Sequence, residues 1–528
     1  MTQLCVAIFV KDVAQARREI ALAAEAGADM VELRVDQFHN RAELATLVDT
    51  SVLPTIVTCR PKWEGGESDL AEEDRWSLFV DTAVHNAAYV DIEMATYKEM
   101  PEPWKQAIER PIILSSHDFT GRPERLTNVF MELNERSGSV SKIVWTTRTI
   151  RDNLEAFEIL QNRQKPTIAL CMGEAGLISR VLAKKFGAFL TFASLEPGGG
   201  TAPGQISIHD MKRLYRWDAI GPQTKVYGVV AQPVMHSMSP AIHNAGFDAV
   251  GHDGVYLPLL VNAGYESFKA FMESFLAFQP LHLSGLSITL PHKENALRYL
   301  KEKGAAIEPL AERIGTVNTI VMDRPSSIAN RKSQIGNLKG FNTDYAAILD
   351  TITTALDIER KDLVEKRIAV IGAGGTGRTA VAALAELGAT VVVYNRTMER
   401  AEELAREFDG PGGKVVAARM EKLCDSCCHV FINTTSVGMH PNVDDSPLGE
   451  RLPKFTPETL VFDTIYNPME TKLLKQAKAA GAKTVGGVEM FVRQAARQFE
   501  AWTGQPAPME IFRRVVESRL TGREGQSR

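Results

Sequence analysis

Eight short runs of β-branched and apolar residues, at 4–10, 31–35, 55–59, 89–94, 112–116, 142–147, 167–171 and 189–193, recur along the first part of the chain. Their starts lie roughly 20–35 residues apart, and most gaps hold a helix-like stretch such as 13–26, apolar at Val13, Ala16, Ile20, Ala23 and Ala24. Antiparallel neighbours need only a tight turn, whereas a return through a helix imposes parallel pairing. Eight such units in about 217 residues fit a closed (β/α)8 barrel better than an open sheet. The chain has 528 residues, so a barrel leaves room for more than one further folding unit.

In a parallel barrel, chemistry gathers where the strands end. The residues at those ends are unusually charged: Glu32 and Arg34, Arg60 with Glu64, Glu93, His117 with Asp118, Lys142 and Arg180. Each has an ordinary explanation alone: an exposed ion pair for Glu32 and Arg34, a satisfied histidine for His117, a solvated strand-end lysine for Lys142. Together they converge on one rim, where unpaired buried charge would be expensive. The Gly/Pro-rich stretch 197–205 has the composition of a linker, but it follows the eighth run directly and precedes a helix expected over 208–217. It is therefore read as the barrel's last active-site loop. The better linker is 218–225, around Gly221-Pro222. A lysine, a histidine and several arginines point to amine catalysis on a carboxylate-bearing carbonyl compound. A neutral lysine forms an imine, which acidifies a neighbouring C–H for a histidine base.

The order of these residues resembles the motif series of type I 3-dehydroquinate dehydratases. The matching segments are Glu32-Leu33-Arg34, Arg60 with Glu64-Gly65-Gly66-Glu67, Ser116-His117-Asp118-Phe119, Lys142-Ile143, Met172-Gly173 with Ile178-Ser179-Arg180, and Ala202-Pro203-Gly204-Gln205. The resemblance implies that Lys142 forms the Schiff base, His117 is the general acid/base and Glu64 orients or tunes it. Arg180 would clamp the substrate carboxylate, while Glu32, Arg34, Arg60, Thr201 and Gln205 would bind ring hydroxyls and hold the closing loop. Thr201 stands where bacterial members often carry serine. A class I aldolase would use the same imine chemistry on the same fold; the motif series, not the fold, favours the dehydratase.

Further on, Arg367-Ile368-Ala369-Val370-Ile371 runs into Gly372-Ala373-Gly374-Gly375-Thr376-Gly377 and a helix expected over 378–387. Between a strand and a helix, such glycines allow a tight turn and close approach of the backbone to a pyrophosphate. The next strand-like run ends in Asn395-Arg396-Thr397, where an NAD site would want Asp or Glu; an arginine and a hydroxyl there favour the 2′-phosphate of NADP. Lys293 and Asp344, outside this segment, supply a cation and a carboxylate suited to proton transfer beside a hydride acceptor.

Ser237-Met238-Ser239-Pro240, Ser287-Ile288-Thr289-Leu290-Pro291-His292-Lys293, Gly315-Thr316-Val317-Asn318-Thr319, Gly340-Phe341-Asn342-Thr343-Asp344, Asp463-Thr464-Ile465-Tyr466-Asn467-Pro468 and the run from Gly486 through Gln494 together resemble shikimate dehydrogenase. The resemblance implies that Ser237, Ser239, Thr289, Asn318, Tyr466 and Gln494 hold the substrate with Asp344, and that Lys293 is the acid/base residue paired with Asp344. Gly372, Gly374, Gly375, Thr376, Gly377, Asn395, Arg396, Thr397 and Gly487 would hold NADP(H). Ser287 replaces an asparagine of many bacterial versions, and 324–339 reads as an extended hairpin loop.

The expected division is a barrel over 1–220, a substrate domain over 225–345 completed by C-terminal helices over 487–520, and a Rossmann NADP domain over 346–486, α/β throughout. The partners are then small molecules: 3-dehydroquinate, 3-dehydroshikimate and shikimate. Two alternatives stay open for the whole, a quinate-type specificity in the second half and a metabolite-binding regulator without turnover. Lys+Arg 60 against Asp+Glu 65 gives −5, which offers no general attraction to nucleic acid or an anionic membrane. No apolar run approaches the ~20 residues of a membrane span, the first ten residues lack the build of a secretory signal, and six cysteines suit a reducing compartment, so the expectation is a cytoplasmic protein. The spacing of Cys424, Cys427 and Cys428 has no second ligand pair to make a zinc site, and no metal is expected.

Overall fold

In a computed structural model, residues 2–81, 84–323 and 337–522 are described. The chain divides into two compact units, one of residues 1–240 with 253–283, the other of 241–252 with 284–528.

The first unit opens with strands β1 (Gln3–Phe9), β2 (Met30–Arg34), β3 (Thr55–Thr58), β4 (Tyr89–Glu93), β5 (Ile112–Asp118), β6 (Val140–Thr146), β7 (Thr167–Met172) and β8 (Leu190–Ala193). They pair in parallel in the order β7-β6-β5-β4-β3-β2-β1-β8, and the Phe189 N–H bonds the Thr167 carbonyl at 2.8 Å across the remaining seam. This is the eightfold parallel barrel that the spacing predicts. Alternation along each strand explains what fills it. Met30, Ile56, Ile113, Val140 and Ile168 share an apolar interior cluster, and two residues further along the same rows stand Glu32, Thr58, Ser115 and Lys142. The inward rows are oily at one end and charged at the other.

Two expectations for this unit are corrected. The helix over 208–217 is broken: a π-helical turn covers Asp210–Leu214 and a 3-10 turn Trp217–Ala219, with Arg216 between them at φ 56° so that its guanidinium donates to the Gly254 carbonyl. The segment 218–225 is no free tether either, because the buried Lys185 ammonium donates to the carbonyls of Pro222 (2.8 Å) and Thr224 (2.9 Å). It leads into β9 (Lys225–Ala231), which pairs in parallel with β10 (Gly254–Leu260). A short helix, Leu177–Val181, lies between β7 and β8.

The second unit carries β11 (Leu283–Ile288) from Ser284 onward, then β12 (Ala306–Ile307), β13 (Thr319–Asp323) and β14 (Asn337–Phe341). β13 pairs antiparallel with both β11 and β14. Most of the predicted loop over 324–339, residues 324–336, lies outside the described residues. A second sheet follows, of β15 (Arg367–Ile371), β16 (Thr390–Tyr394), β17 (Val415–Ala418), β18 (Val430–Asn433), β19 (Leu460–Asp463) and β20 (Lys483–Val485). All its pairs are parallel, in the order β17-β16-β15-β18-β19-β20, which switches direction between β15 and β18. Such a switch leaves a crevice at the strand ends where ligands bind. The helix after the glycine loop runs over Gly375–Glu386, starting earlier than its pattern predicts because two of the glycines belong to its first turn. Among the described residues no helix is long and apolar enough to cross a membrane.

One buried cation ties a barrel helix to the charged rows. Arg75, on the helix Glu72–Val80, is fully buried, pairs with Glu93 and Glu72, and donates twice to the Cys59 carbonyl. Arg75→Met removes one of the two cations on the buried Glu93 carboxylate and leaves Arg60 alone on it, so a loss of about 3 kcal/mol is expected. Urea unfolding followed by tryptophan fluorescence checks this, and an unmoved transition would contradict it.

Candidate active sites

The barrel's charged end forms a pocket lined by Glu32, Arg34, Arg60, Glu64, His117, Lys142, Arg180, Thr201 and Gln205, all nine of the residues the sequence assigns there. Lys142 lies deep in it. Its Nζ is 2.8 Å from Asp91 Oδ2, 3.6 Å from Glu32 Oε1 and 4.6 Å from the centre of the Phe192 ring. Arg60 donates to Asp91 Oδ1 (2.8 Å), Glu93 Oε1 (2.7 Å) and Ser115 Oγ (2.8 Å), and the Ser115 hydroxyl donates in turn to Asp91 Oδ1 at 2.6 Å. Arg34 faces Asp36 through two bonds of 3.1 and 2.6 Å. Thr201 and Gln205 close the loop on itself, Thr201 N–H donating to Gln205 Oε1 at 2.7 Å.

One cation stands apart. Arg180 is almost fully buried, its Nε has no hydrogen-bond partner, and no carboxylate pairs with it among the described residues. Burial pulls its guanidinium down to about 10, so it stays charged at neutral pH. A buried cation without a counterion calls for an anion from outside.

His117 and Glu64 fix a tautomer. Glu64 Oε1 accepts the His117 backbone N–H at 2.7 Å and lies 2.8 Å from Nδ1. An oxygen already accepting from an amide is best met by Nδ1–H, which leaves the Nε2 lone pair for chemistry. Burial, followed by the positive charges of Arg60 and Lys142, pulls the imidazole well below its ordinary 6.5. Burial also pushes the Glu64 carboxyl up to about 8, against the pull of Arg60 and with the push of Glu93. For Asp91 burial acts in the same sense, but Arg60, Lys142 and His117 outweigh it and hold that carboxyl below the usual carboxylate range. Asp91 therefore stays ionised as the fixed counterion of Lys142.

In the second unit Lys293 Nζ meets Asp344 Oδ2 at 2.5 Å. Lys293 starts the helix Lys293–Glu302, just after the turn in which His292 N–H bonds the Thr289 carbonyl, and Asp344 lies in the first turn of the helix Thr343–Leu356, capped by Asn342. Asn318 joins them: its Oδ1 accepts the Thr343 N–H at 2.9 Å, and the Val317 N–H bonds the Lys293 carbonyl at 3.1 Å. Thr289, Lys293, Asn318 and Asp344 thus form one cluster. Tyr466 stacks on Phe491 with ring centres 5.0 Å apart, and Gln494 follows on the same helix, Gly487–Thr503; no hydrogen bond links either to the cluster among the described residues. Ser237 and Ser239 belong to the first unit, where Ser237 Oγ accepts the Ser239 N–H at 3.3 Å.

The glycine loop has the shape of a pyrophosphate cradle. A Cβ at Gly377 would come within 2.2 Å of the Gly372 carbonyl, so no larger residue fits, whereas at Gly374 and Gly375 a Cβ would meet nothing within 4 Å. Thr376 sits between Gly375 and Gly377 in the first helical turn. Asn395 braces the loop, its Oδ1 accepting the Ala373 N–H at 3.2 Å and its amide donating to the Thr397 carbonyl at 2.8 Å. Arg396 and Thr397 are exposed beyond the end of β16, with no carboxylate on Arg396 among the described residues. Gly487 opens the last long helix, its N–H bonding the Ile465 carbonyl at 3.0 Å. An open cradle with a free cation beside it fits a phosphorylated dinucleotide.

Sequence reasoning missed Asp91, Ser115, Asp36 and Gln498. The first two could have been found by stepping back two residues along the inward rows from Glu93 and His117. Gln498 accepts the Ser287 hydroxyl at 2.9 Å and donates to Thr319 Oγ1 at 3.0 Å, a link across more than two hundred residues that no local pattern announces.

A lysine-centred barrel and a dinucleotide cradle in one chain define a two-site enzyme, part lyase and part oxidoreductase. Family profiles match in the same order: type I 3-dehydroquinase over residues 4–222, shikimate dehydrogenase substrate binding domain over 229–320, shikimate / quinate 5-dehydrogenase over 354–469 and shikimate 5'-dehydrogenase C-terminal domain over 487–517. The chloroplastic bifunctional 3-dehydroquinate dehydratase/shikimate dehydrogenase of Arabidopsis thaliana is 38% identical over 97% of this chain and 84% of its own. The NADP(+) shikimate dehydrogenase of Methanosarcina barkeri is 38% identical over 55% of this chain and 97% of its own. The crystal structure of Thermus thermophilus shikimate 5-dehydrogenase with NADP(H) and shikimate is 32% identical, with a TM-score of 0.45 over 56% of this chain and 98% of that one. The chain belongs to the family of bifunctional 3-dehydroquinate dehydratase/shikimate dehydrogenases.

Because Arg180 is buried without a counterion, Arg180→Met is expected to leave the protein at least as stable as it was. Thermal unfolding checks this; a clear fall in Tm would mean that an internal anion partner had been overlooked.

Proposed function

We propose that the chain catalyses two consecutive steps, dehydration of 3-dehydroquinate to 3-dehydroshikimate in the barrel and NADPH-dependent reduction of that product to shikimate in the second unit. The observation that carries the reading is the pocket in which Lys142, His117 and the unpartnered Arg180 line one cavity. In this reading the barrel spans 1–220, a substrate domain spans 225–345 with the C-terminal helices over 487–520, and a Rossmann domain spans 346–486. The two steps take place in the cytoplasm.

Arg180 accepts the substrate carboxylate and so places the ring carbonyl over Lys142. Glu32, Arg34, Arg60, Thr201 and Gln205 surround the ring hydroxyls. Lys142 passes a proton to His117 and adds as the neutral amine to the carbonyl carbon; His117 then returns that proton as the carbonyl oxygen leaves as water, giving a protonated imine. The charge on nitrogen is the one Asp91 already faces at 2.8 Å, so the network need not rearrange. His117 Nε2 removes the proton from the adjacent carbon, the electron pair enters the imine as an enamine, and the hydroxyl one carbon further leaves with a proton returned by His117. Hydrolysis restores the Lys142 amine, so the water released on imine formation is taken up again and the substrate loses one water in all.

In the second site NADPH supplies a hydride when bound, held by Gly372, Gly374, Gly375, Thr376, Gly377, Asn395, Arg396, Thr397 and Gly487. Thr289, Asn318, Tyr466 and Gln494 hold the substrate. Lys293, oriented by Asp344, delivers a proton to the carbonyl oxygen as negative charge develops there.

Three outcomes test the reading. Borohydride with 3-dehydroquinate is expected to trap the substrate on Lys142; trapping that persists in Lys142→Ala would refute that role. Dehydratase kcat/KM is expected to stay level as the pH falls through 6.5 and to drop only below it, because the working base is the neutral imidazole and its pKa is lowered; an acid limb centred above 6.5 would contradict this. Lys293→Ala is expected to cut reduction about 10²–10⁴-fold while leaving dehydration intact, followed as NADPH absorbance against enone absorbance.

A further inference from the structure

An arginine just beyond a phosphate-binding loop invites reading as a phosphate ligand. Arg378 occupies that place, its N–H bonding the Gly374 carbonyl at 2.8 Å. Its side chain is committed elsewhere. NH1 meets Glu407 Oε2 at 2.8 Å, NH2 meets the other oxygen of the same carboxylate, Nε donates to the Ile314 carbonyl, and the guanidinium stacks 5.2 Å from the centre of the Phe408 ring. A fork-to-fork pair with a carboxylate fixes a guanidinium and neutralises it, leaving little to offer a phosphate.

The Ile314 carbonyl is the point of interest. It ends the helix Pro309–Ile314, and the chain then runs through Gly315-Thr316-Val317 to Asn318. Gly315 turns at φ +83°, and a Cβ there would come within 3.3 Å of Arg378 NH2, so the turn and the arginine are fitted to each other. Two residues on, the Val317 N–H bonds the Lys293 carbonyl, and Asn318 then holds Thr343 beside Asp344. The only charged pair between this helix and Gly375–Glu386 among the described residues is Arg313 with Glu386, at 3.5 Å with both side chains about half exposed. Such a pair holds little.

We propose that Arg378 is a positioning residue of the dehydrogenase reaction: it anchors the loop that carries Asn318 and buttresses Lys293 to the first turn of the cofactor helix, and it does not hold the cofactor's phosphates. The inference rests on the dehydrogenase reading given above.

The test compares full-length wild type, Arg378→Ala and Glu407→Gln in shikimate oxidation, with NADP+ affinity measured by titration calorimetry and dehydratase turnover in the same preparations as a count of folded protein. Arg378→Ala is expected to raise the KM for shikimate and lower kcat/KM about 10–100-fold while NADP+ affinity stays within about twofold. Glu407→Gln, which keeps the arginine but loosens its fork, is expected to move the shikimate KM the same way by less. NADP+ affinity weakened about tenfold or more with an unchanged shikimate KM would make Arg378 a phosphate ligand and overturn the proposal. A fall in kcat alone, with KM and NADP+ affinity unmoved, would mean lost active enzyme and would overturn it as well. Should Arg378→Ala fail to fold, Arg378→Lys and Glu407→Gln decide by the same criteria. Wild type that binds NADP+ but leaves shikimate unoxidised would refute the dehydrogenase reading and this inference with it.

Discussion

Buried carboxylates and cations share one end of the barrel interior, and almost every one of them is paired with another. Asp91 is the hub: one oxygen takes Arg60 and Ser115, the other takes Lys142. Glu93 ties Arg60 to Arg75 and hence the strand rows to an outer helix. Gathering such groups away from water costs several kcal/mol per ion unless each finds a partner. The network therefore has little freedom to relax, and its stiffness is what fixes Lys142 and His117 in place. Arg180 is the exception, and an exception inside a fully paired network marks where an anionic substrate belongs.

Much of this was legible because parallel barrels read out in sequence as a rhythm. Eight runs and their gaps gave the fold, and the charged residues at the run ends lay on the same inward rows as the apolar cluster beneath them. The glycine loop was legible for a similar reason, since Gly372 is required by its φ of +110° and Gly377 by its contact with the Gly372 carbonyl. What escaped the sequence depended on long-range partners. The 218–225 segment looks like a tether because nothing local shows that Lys185 will reach its carbonyls. Arg216 adopts a left-handed backbone for a bond to Gly254, and the regular helix expected there gives way. Ser287 reads as a simple substitution until Gln498 is found holding it.

The two lysines of the proposed reactions sit in different surroundings, and the difference matches what each is asked to do. Lys142 and Asp91 expose 4% and 1% of their side chains, whereas Lys293 and Asp344 expose 19% and 9%. An imine-forming amine gains from isolation: bulk water would compete for the carbonyl and screen the counterion that stabilises the iminium. A lysine that gives a proton away in each turnover needs the opposite, a route by which solvent can replace it. Burial as deep as that of Lys142 would trap Lys293 in whichever protonation state the last turnover left. The Asp344 carboxylate at 2.5 Å still orients the ammonium, so access to water is gained without losing direction. One chain thus pairs lysine with aspartate twice, and the depth of each pair matches the proposed division between covalent chemistry and proton delivery.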